Sequence, residues 1–380
     1  MKPIVSIITP SYNQGRFIRE TIESVLTQDY DPIEYIIIDG GSTDQSLEII
    51  QEYGSRLTYL SEKDHGQSNA INKGFKMAKG SIVAWLNSDD VYEPGSVSKA
   101  VEEFQKNDRL GLLYGDGYII DENSRKLKAF EYTQEFDYWK LVNFWDYIMQ
   151  PAAFFRKDAL QKAGYLDEGL HYCMDWDLWI KLAAVSEVKY LPQLLACSRE
   201  YADTKTSTGG EERLLEIEKL LKKYSKKDRP MGIASYRAST FYMKHSHDLW
   251  PIRKFAGWYL TYRHKWLNAR MPVRYADGWI GKEYAFLMPD YVKQAVLSIE
   301  TALPDALPQE IVICLNGKVV EVKRVVKCET TQVVIDNGKG CLNEVVLTCK
   351  KVVRAGRGDD RVLSVRISEI VFLNQAGNSE

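Results

Sequence analysis

The chain has 380 residues, with 50 Lys or Arg against 52 Asp or Glu, so its formal net charge is −2. This length exceeds one core and predicts two domains, and the near-neutral charge excludes a protein whose whole surface attracts nucleic acid. The sequence contains neither a basic-then-apolar signal peptide nor an apolar run of membrane-spanning length. We therefore expect a cytoplasmic protein.

Residues 1 to about 115 alternate apolar runs of strand length with segments of helical periodicity. The strand-like runs are 4–9, 35–38, 57–60 and 82–86. Such alternation predicts an α/β fold whose mostly parallel sheet has helices on both faces. Between the second and third runs, Ser42-Thr43-Asp44-Gln45 fits a capping box at a helix start.

Each of these predicted strands ends in polar residues. Ligands of parallel sheets bind beyond the carboxyl ends of the strands, so the four ends together predict a polar cleft. Taken singly, each is better explained as an ordinary polar loop. The ends are Thr9-Pro10-Ser11-Tyr12-Asn13, Asp39-Gly40-Gly41-Ser42, Glu62-Lys63-Asp64-His65-Gly66-Gln67 and Asn87-Ser88-Asp89-Asp90.

The last of these ends carries oxygen ligands of the kind that Mg²⁺ or Mn²⁺ prefers. A turn in which Asp89 or Asp90 caps the next helix is the alternative. No G-x-G-x-x-G follows the first strand, and no G-x-x-x-x-G-K-[ST] occurs in the sequence. Their absence argues against a dinucleotide enzyme and a P-loop NTPase.

Four segments in order resemble the motifs of the family 2 glycosyltransferases of GT-A fold. They are VSIITPSYN at 5–13, IDGGSTD at 38–44, AINKG at 70–74 and LNSDD at 86–90. The resemblance covers about the first 225 residues and implies a Rossmann-like GT-A catalytic domain over 1–225. It also implies an inverting, metal-dependent transfer of a sugar from a nucleotide-diphosphate donor, expected to be a UDP-sugar.

The resemblance implies that Asp39 accepts a hydrogen bond from N3–H of the base and that Asp89 holds Mg²⁺ or Mn²⁺ at the donor diphosphate. In the family's D-x-D pattern an Asp stands where this chain has Asn87, which brings no charge. The implied donor-binding set is Thr9, Pro10, Ser11, Tyr12, Asn13, Asp39, Asp64, Gly66, Gln67, Asn72, Lys73, Asn87 and Ser88.

A second acidic segment, HYCMDWDLW at 171–179, places Asp175 at a predicted helix start. A helix N-cap is the simple interpretation. The resembling family has Glu-Asp-x-Asp-Leu-Trp here, and its Asp is the catalytic base. The resemblance therefore implies Asp175 as the base, with Met174 in place of the Glu. The implied acceptor contacts are Gln150, Trp176 and Asp177.

The polar loop 199–210 suits a mobile lid in which Arg199 or Lys205 meets the diphosphate, with a plain surface loop as the alternative. Residues 226–272 are expected to form a helical linker. Within 244–274, Lys and Arg are mixed with Trp and Tyr. This mixture suits an anionic membrane surface, and helices packed on the catalytic domain are the alternative.

From residue 273 onward, short alternating strands and the Asn316-Gly317 turn predict a β-sandwich domain over 273–380 whose role stays open. The six cysteines form no Cys-x-x-Cys pair, and we expect them to be reduced. They are Cys173, Cys197, Cys314, Cys328, Cys341 and Cys349.

The expected partners are a nucleotide sugar and a glycan or lipid-linked acceptor of cell-surface polysaccharide synthesis, and the oligomeric state stays open. No RNA-binding signature occurs, so we expect no nucleic-acid partner. Two alternatives remain. A nucleotidyltransferase would need a Gly-rich basic loop where 11–16 supplies one Gly and one Arg. A non-catalytic carbohydrate-binding protein would explain Asn87 and Met174.

Overall fold

The computed structural model describes residues 2–245, 250–268, 279–288, 292–337, 343–354 and 362–374. The chain divides into two compact units, Met1–Phe136 with Lys140–His247, and Asp137–Trp139 with Asp248–Glu380. The division falls inside the linker that the sequence predicts over 226–272. No helix in the described ranges is both long enough and apolar enough to cross a membrane.

The first unit alternates strands and helices. Its strands are β1 (Val5–Ser11), β2 (Ile33–Asp39), β3 (Thr58–Ser61), β4 (Ile82–Trp85), β5 (Val91–Tyr92), β6 (Leu110–Ile120), β7 (Lys126–Ala129), β8 (Ala153–Arg156) and β9 (Glu187–Arg199). Its helices are α1 (Ile18–Leu26), α2 (Ser46–Gln51), α3 (Gln67–Met77), α4 (Ser96–Lys106), the greater part of α5 (Tyr138–Asn143), α6 (Lys157–Ala163), α7 (Met174–Val185), α8 (Lys205–Thr208), α9 (Gly210–Ser225) and α10 (Met231–His245). Short 3-10 turns lie at Gly54–Arg56 and Gln150–Ala152.

These strands form one sheet in the order β3-β2-β1-β4-β8-β6-β9-β5, with β7 beside β6. Strands β1 to β4 are parallel to one another, whereas β8 runs antiparallel to both β4 and β6. Because β1 to β4 are parallel, their carboxyl ends meet at one edge of the sheet. The common polar edge expected from the sequence is confirmed.

An aromatic cluster fixes α3 and α7 on the sheet. Trp179 of α7 stacks on Trp85 of β4 with ring centroids 5.4 Å apart, and Phe75 of α3 packs edge-on against Phe155 of β8 at 5.5 Å. All four side chains are fully buried. Trp179 lies one helical turn after Asp175, so this packing sets the position of the first turn of α7.

Gly74 allows α3 to lie close to the central strand β1. A Cβ atom at this position would stand 2.4 Å from Cγ2 of Ile8. No such contact is tolerated in a packed core, so the helix can approach this strand only where the side chain is absent. The close packing of α3 on β1 therefore explains the glycine of the AINKG segment.

The second unit contains helix α11 (Trp250–Asn268) and two antiparallel sheets. Its strands are β10 (Glu283–Met288), β11 (Val292–Glu300), β12 (Gln309–Leu315), β13 (Lys318–Val325), β14 (Thr330–Asp336), β15 (Asn343–Cys349), β16 (Val353–Arg354), β17 (Val362–Leu363) and β18 (Arg366–Asn374). The sheets have the orders β10-β15-β12-β13 and β14-β11-β18, and a further pair joins β16 to β17. A 3-10 turn lies at Pro304–Ala306.

Side chains from both sheets, among them Leu297 and Ile313, share one hydrophobic core, which confirms the predicted β-sandwich. Asn316 and Gly317 turn the chain between β12 and β13 with φ of 49° and 77°, as their sequence predicts. Cys341 and parts of the basic segment, 246–249 and 269–274, lie outside the described residues. The other five cysteines are free thiols.

Candidate active site

The turn after β4 holds two adjacent carboxyls in different surroundings. Asp90 is buried, with Oδ1 accepting from the Arg199 backbone N–H at 2.8 Å and Oδ2 from Asn87 Nδ2 at 3.2 Å. Asp89 lines a cavity, and its Oδ2 accepts from the Tyr201 hydroxyl at 3.0 Å. Burial raises the pKa of Asp89, and burial together with the charge of Asp89 raises the pKa of Asp90 to about 8.

The fully buried side chain of Arg199 holds this turn in place. Nε donates to the Asp89 carbonyl at 2.8 Å, Nη1 to the Asp121 carbonyl and Ser124 Oγ at 2.9 and 3.0 Å, and Nη2 to the Glu20 carboxylate at 2.7 Å. All three nitrogens of the guanidinium therefore donate hydrogen bonds within the protein. The structure therefore corrects the expected lid role of Arg199, which is a fixed clamp of the carboxylate turn.

The amide of Asn87 both donates and accepts hydrogen bonds. Nδ2 donates to Gln150 Oε1 at 2.8 Å and to Asp90, and Oδ1 accepts from Gln67 Nε2 at 2.8 Å. A carboxylate could not donate to these two acceptors and would face the charge of Asp90. The local hydrogen bonds therefore require an amide, which explains why Asn87 stands where the D-x-D pattern has an Asp.

A cavity of about 400 Å³ opens at the carboxyl ends of the parallel strands. Ser11 lies in its wall, and the buried Ser11 Oγ has no hydrogen-bond partner among the described residues. Such an atom is available to a ligand. The cavity brings together these residues of the predicted set: Pro10, Ser11, Tyr12, Asp64, Gly66, Gln67, Asn87, Ser88, Asp89, Arg199 and Lys205.

Four other predicted residues do not line this cavity and have structural partners instead. The Thr9 hydroxyl lies 3.0 Å from that of Tyr35, and Asn13 Oδ1 accepts from the Thr43 backbone N–H at 2.8 Å. The other two belong to α3. Asn72 exchanges hydrogen bonds with the backbone of Leu166 at 3.0 and 3.1 Å, and Lys73 pairs with Glu62 at 2.6 Å. Donor contact at these four positions stays a prediction.

Asp39 is fully buried at the end of β2, outside the cavity lining. Its carboxylate accepts from the backbone N–H of Gly41 and Ser42 at 3.1 and 3.0 Å and from the hydroxyls of Ser61 and Ser42. The capping-box prediction is therefore wrong, because the Ser42 hydroxyl binds Asp39 and helix α2 has no side-chain cap. Contact between Asp39 and a base stays a prediction that requires this hydroxyl to move.

A second cavity of about 300 Å³ adjoins the first and shares Gln67, Asn87 and Lys205 with it. The predicted residues Gln150, Asp175 and Trp176 line it. Asp175 lies in the first turn of α7, as the sequence predicts, and its Oδ1 accepts from the Trp176 backbone N–H at 2.8 Å. Burial raises the pKa of Asp175, and the positive charges of Arg213 and Lys205 oppose that rise.

Asp177 does not lie in either cavity. Its side chain is fully buried and contacts Lys181 Nζ at 2.9 Å, Lys223 Nζ at 3.0 Å and the Tyr224 hydroxyl at 2.5 Å. These contacts fasten α9 to α7. The structure therefore corrects its expected role, since Asp177 is a link between helices and not an acceptor contact.

Glu216 of α9 caps the start of α7. Its carboxylate accepts from the backbone N–H of His171 at 2.9 Å and of Tyr172 and Cys173 at 2.6 Å each. A negative charge is favoured at this end of the helix dipole, and three otherwise orphaned donors are satisfied. This contact fixes the segment immediately before Asp175, and it was missed because Glu216 looks like one of many charges on an amphipathic helix.

Three further cavity residues escaped the sequence reasoning. Tyr201 contacts Asp89 from the polar loop after β9, Asp146 lies in an aromatic segment, and Arg213 belongs to α9. The loop 199–210 was recognised as a candidate lid, and only the position of Tyr201 two residues after Arg199 could have singled out this residue within it. The other two become neighbours of Asp175 through tertiary structure alone.

In the ranges that the structure describes, no group of three His, Cys, Asp or Glu side chains is arranged to hold a metal ion. Asp64, Asp89 and Asp203 line the cavity beside Asp90, and Asp89 is a carboxylate there whose contacts leave room for an ion, whereas Asp90 is engaged with Asn87 and Arg199. A single carboxylate fits Mg²⁺ or Mn²⁺ when phosphate oxygens and water complete the coordination. The donor set is thus compatible with an ion that enters with a diphosphate.

Comparison with known proteins finds sequence similarity to glycosyltransferases. Residues 6–164 match the model of glycosyl transferase family 2. An uncharacterized glycosyltransferase of Rickettsia prowazekii is 34% identical over 217 residues, 54% of this chain and 67% of the relative. One of Rickettsia typhi is 32% identical over 249 residues, 63% and 76% of the two chains. GalNAc-T7, solved with UDP, GalNAc and Mn²⁺, shares the fold at a TM-score of 0.52 and 14% identity, over 74% of this chain and 60% of that one.

The cap at the start of α7 is tested by Glu216→Gln. Loss of the charge should raise amide hydrogen exchange at 171–173 by about tenfold or more, since hydrogen bonds to a charged group contribute about 1.5–3 kcal/mol. Hydrogen exchange with mass spectrometry measures this. Glu211→Gln, on the same helix in an exposed pair with Lys244, is the control and should leave 171–173 unchanged. Equal exchange in all three proteins would contradict the cap.

Proposed function

Because the chain belongs to glycosyltransferase family 2, we propose that it is an inverting, metal-dependent enzyme that transfers a sugar from a nucleoside diphosphate to a hydroxyl of a glycan or lipid-linked acceptor in cell-surface polysaccharide synthesis. One observation carries the proposal: the cavity that contains Asp89 adjoins the cavity that contains Asp175, and Lys205 lines both. Inverting transfer needs a site for the leaving group and a site for the base on opposite sides of the transferred sugar.

The cavity at the strand ends is the proposed donor site. Tyr12, with 61% of its surface exposed at the cavity wall, offers a ring on which a nucleobase can stack, and the unpartnered Ser11 hydroxyl can bind a polar atom of the nucleotide. A UDP-sugar is the expected donor. Uracil recognition by Asp39 belongs to the same proposal and requires the Ser42 hydroxyl to turn away.

Asp89 would hold Mg²⁺ or Mn²⁺ together with donor oxygens, while Tyr201, which now hydrogen-bonds this carboxylate, would change partner. When bound, such an ion neutralises the charge of the departing diphosphate. Lys205 adds a positive charge beside the same space. Arg199 acts indirectly by holding the Asp89 carbonyl.

Asp175 would accept the proton of an acceptor hydroxyl while that oxygen forms the bond to the anomeric carbon and the nucleoside diphosphate leaves with the bonding pair. Because burial raises the pKa of Asp175, the carboxylate is a better proton acceptor than an exposed Asp. It must be ionised to act. The rate should therefore fall as the pH drops through this raised pKa.

The base assignment is tested by Asp175→Asn. The amide cannot accept the proton, so release of nucleoside diphosphate should fall by about a hundredfold or more, while donor binding persists. Release is measured by chromatography with UDP-glucose, UDP-galactose, UDP-GlcNAc, UDP-GalNAc, GDP-mannose and dTDP-rhamnose. Asp158→Asn, at an exposed position of α6, is the matched control. Unchanged turnover in Asp175→Asn would eliminate this base, and no turnover of any donor by the wild type would favour a non-catalytic binding protein.

The role of Asp89 is tested by isothermal titration of the donor with and without Mn²⁺. In the wild type, Mn²⁺ should tighten donor binding by about tenfold or more, because a divalent ion offsets the repulsion between carboxylate and diphosphate. In Asp89→Asn this dependence should disappear. Asp203→Asn, in the wall of the same cavity, should keep it. Equal dependence on Mn²⁺ in all three proteins would exclude Asp89 as the ligand.

Helix α11 supports a peripheral location at the cytoplasmic face of the plasma membrane, where lipid-linked acceptors lie. Phe255, Trp258 and Tyr262 form an exposed stripe at helical spacing, with ring centroids 5.9 and 5.5 Å apart between successive members. The helix carries Arg and Lys and no acidic residue. Aromatic rings beside basic residues suit the interface of an anionic bilayer.

This location predicts co-sedimentation of the protein with vesicles of mixed phosphatidylglycerol and phosphatidylcholine, and much weaker co-sedimentation with pure phosphatidylcholine. The double variant Phe255→Ala and Trp258→Ala should lower binding by about tenfold or more, because each ring loses apolar burial. Tyr132→Ala removes an exposed ring elsewhere and serves as the control. Binding that depends neither on the lipid charge nor on the rings of Phe255 and Trp258 would contradict the proposal.

A further inference from the structure

The cavity that contains Asp175 holds a second carboxyl, Asp146, in the segment between α5 and the 3-10 turn Gln150–Ala152. The two carboxyls have matching environments. Each uses one oxygen to accept a backbone N–H, from Ile148 at 3.0 Å in Asp146 and from Trp176 at 2.8 Å in Asp175. In the described part of the chain, no group donates to the other oxygen of either one.

Asp146 and Asp175 are half-buried as residues, while the residues on either side of them in the chain are largely buried. Burial and the charge of Asp175 raise the pKa of Asp146. Arg213 acts against that rise for both carboxyls, and Lys205 does so for Asp175. The remaining ionisable groups that face this space are Asp90, His171, Tyr172, Cys173 and Tyr236 from the cavity wall, with Glu216 behind the start of α7.

An uncommitted carboxylate oxygen can only accept hydrogen bonds, so the cavity calls for a ligand rich in donors. An anionic group would meet two carboxyls, and an apolar group would leave both oxygens desolvated and unpaired. A sugar ring offers several hydroxyl donors together with an apolar C–H face. Trp176 and Tyr236, whose rings lie 5.8 Å apart, supply aromatic surface in the same cavity.

We propose that Asp146 and Asp175 together select a neutral sugar acceptor through two of its hydroxyls. Asp175 receives the proton of the reacting hydroxyl, and Asp146 accepts a hydrogen bond from a second hydroxyl of the same ring. Asp146 forms no covalent bond and keeps its protonation state. This inference rests on the proposed function, and it narrows the acceptor to a sugar presented with at least two free hydroxyls.

The test uses the full chain and the donor that the wild type turns over fastest. Release of the nucleoside diphosphate is measured with water alone and with methyl glucopyranosides, galactopyranosides and mannopyranosides, each beside its monodeoxy analogues. The readout is the ratio of release with the glycoside to release with water, which cancels changes in the donor site. Asp146→Asn is compared with the wild type and with Asp158→Asn.

In the wild type, one parent glycoside should accelerate release, and one of its deoxy analogues should do so about tenfold less, since losing a buried hydrogen bond to a carboxylate costs about 1.4 kcal/mol or more. Asp146→Asn should raise the KM of the parent glycoside and lose the discrimination between parent and analogue. Asp158→Asn should keep both. Non-additivity of the deoxy change and the Asn change marks a direct contact.

Asp146→Asn retains an oxygen for the Ile148 N–H and removes one of two repelling carboxyls, so the fold should tolerate it. Its loss of charge should also move the acidic limb of the pH profile to lower pH, which a purely structural role would not do. Asp146→Ser provides a second variant with the same expectations. If no glycoside accelerates release, or if Asp146→Asn keeps the discrimination, the inference is overturned while donor turnover still supports the proposed function.

Discussion

The buried guanidinium of Arg199 is the interaction on which the geometry of the cleft depends. The guanidinium joins the end of β9 to α1, to the turn after β6 and to the carboxylate turn after β4. The backbone N–H of Arg199 also donates to Asp90. The adjacent carboxylates Asp89 and Asp90 repel each other, and the positive charge of Arg199 offsets this repulsion while its hydrogen bonds fix the turn. Removal of the guanidinium would leave the carbonyls of Asp89 and Asp121 without this donor, while the backbone contact to Asp90 would remain.

A second constraint positions the proposed base. Helix α9 contacts α7 at two places. Glu216 accepts from the backbone immediately before Asp175, and Lys223 pairs with the buried carboxylate of Asp177. The stack of Trp179 on Trp85 fixes the same helix to the sheet beside the carboxylate turn. Asp89 and Asp175 therefore belong to elements that share one packed core, which suits a reaction that needs both at a fixed separation.

The sequence was sufficient for the parallel α/β sheet and the β-sandwich, because periodicity and turn residues are local signals, and the family resemblance implied the GT-A fold. It also identified the polar strand ends and the first turn of α7. It was misleading for Arg199 and Asp177, whose residue types suit ligand binding but whose side chains are buried against partners from distant segments. Asp146 was missed because its neighbours in the sequence are aromatic. The Ser42 cap failed because a buried carboxylate, Asp39, competes for the same hydroxyl.

The central claim is that one face of the donor sugar meets a base and the opposite face carries the leaving diphosphate. The most direct measurement is proton NMR of the first sugar released when water replaces the acceptor. From a UDP-α-sugar, the β-anomer should appear first and convert later by mutarotation. Initial release of the α-anomer would contradict inversion, and with it the arrangement of Asp89 and Asp175 on opposite sides of the transferred sugar.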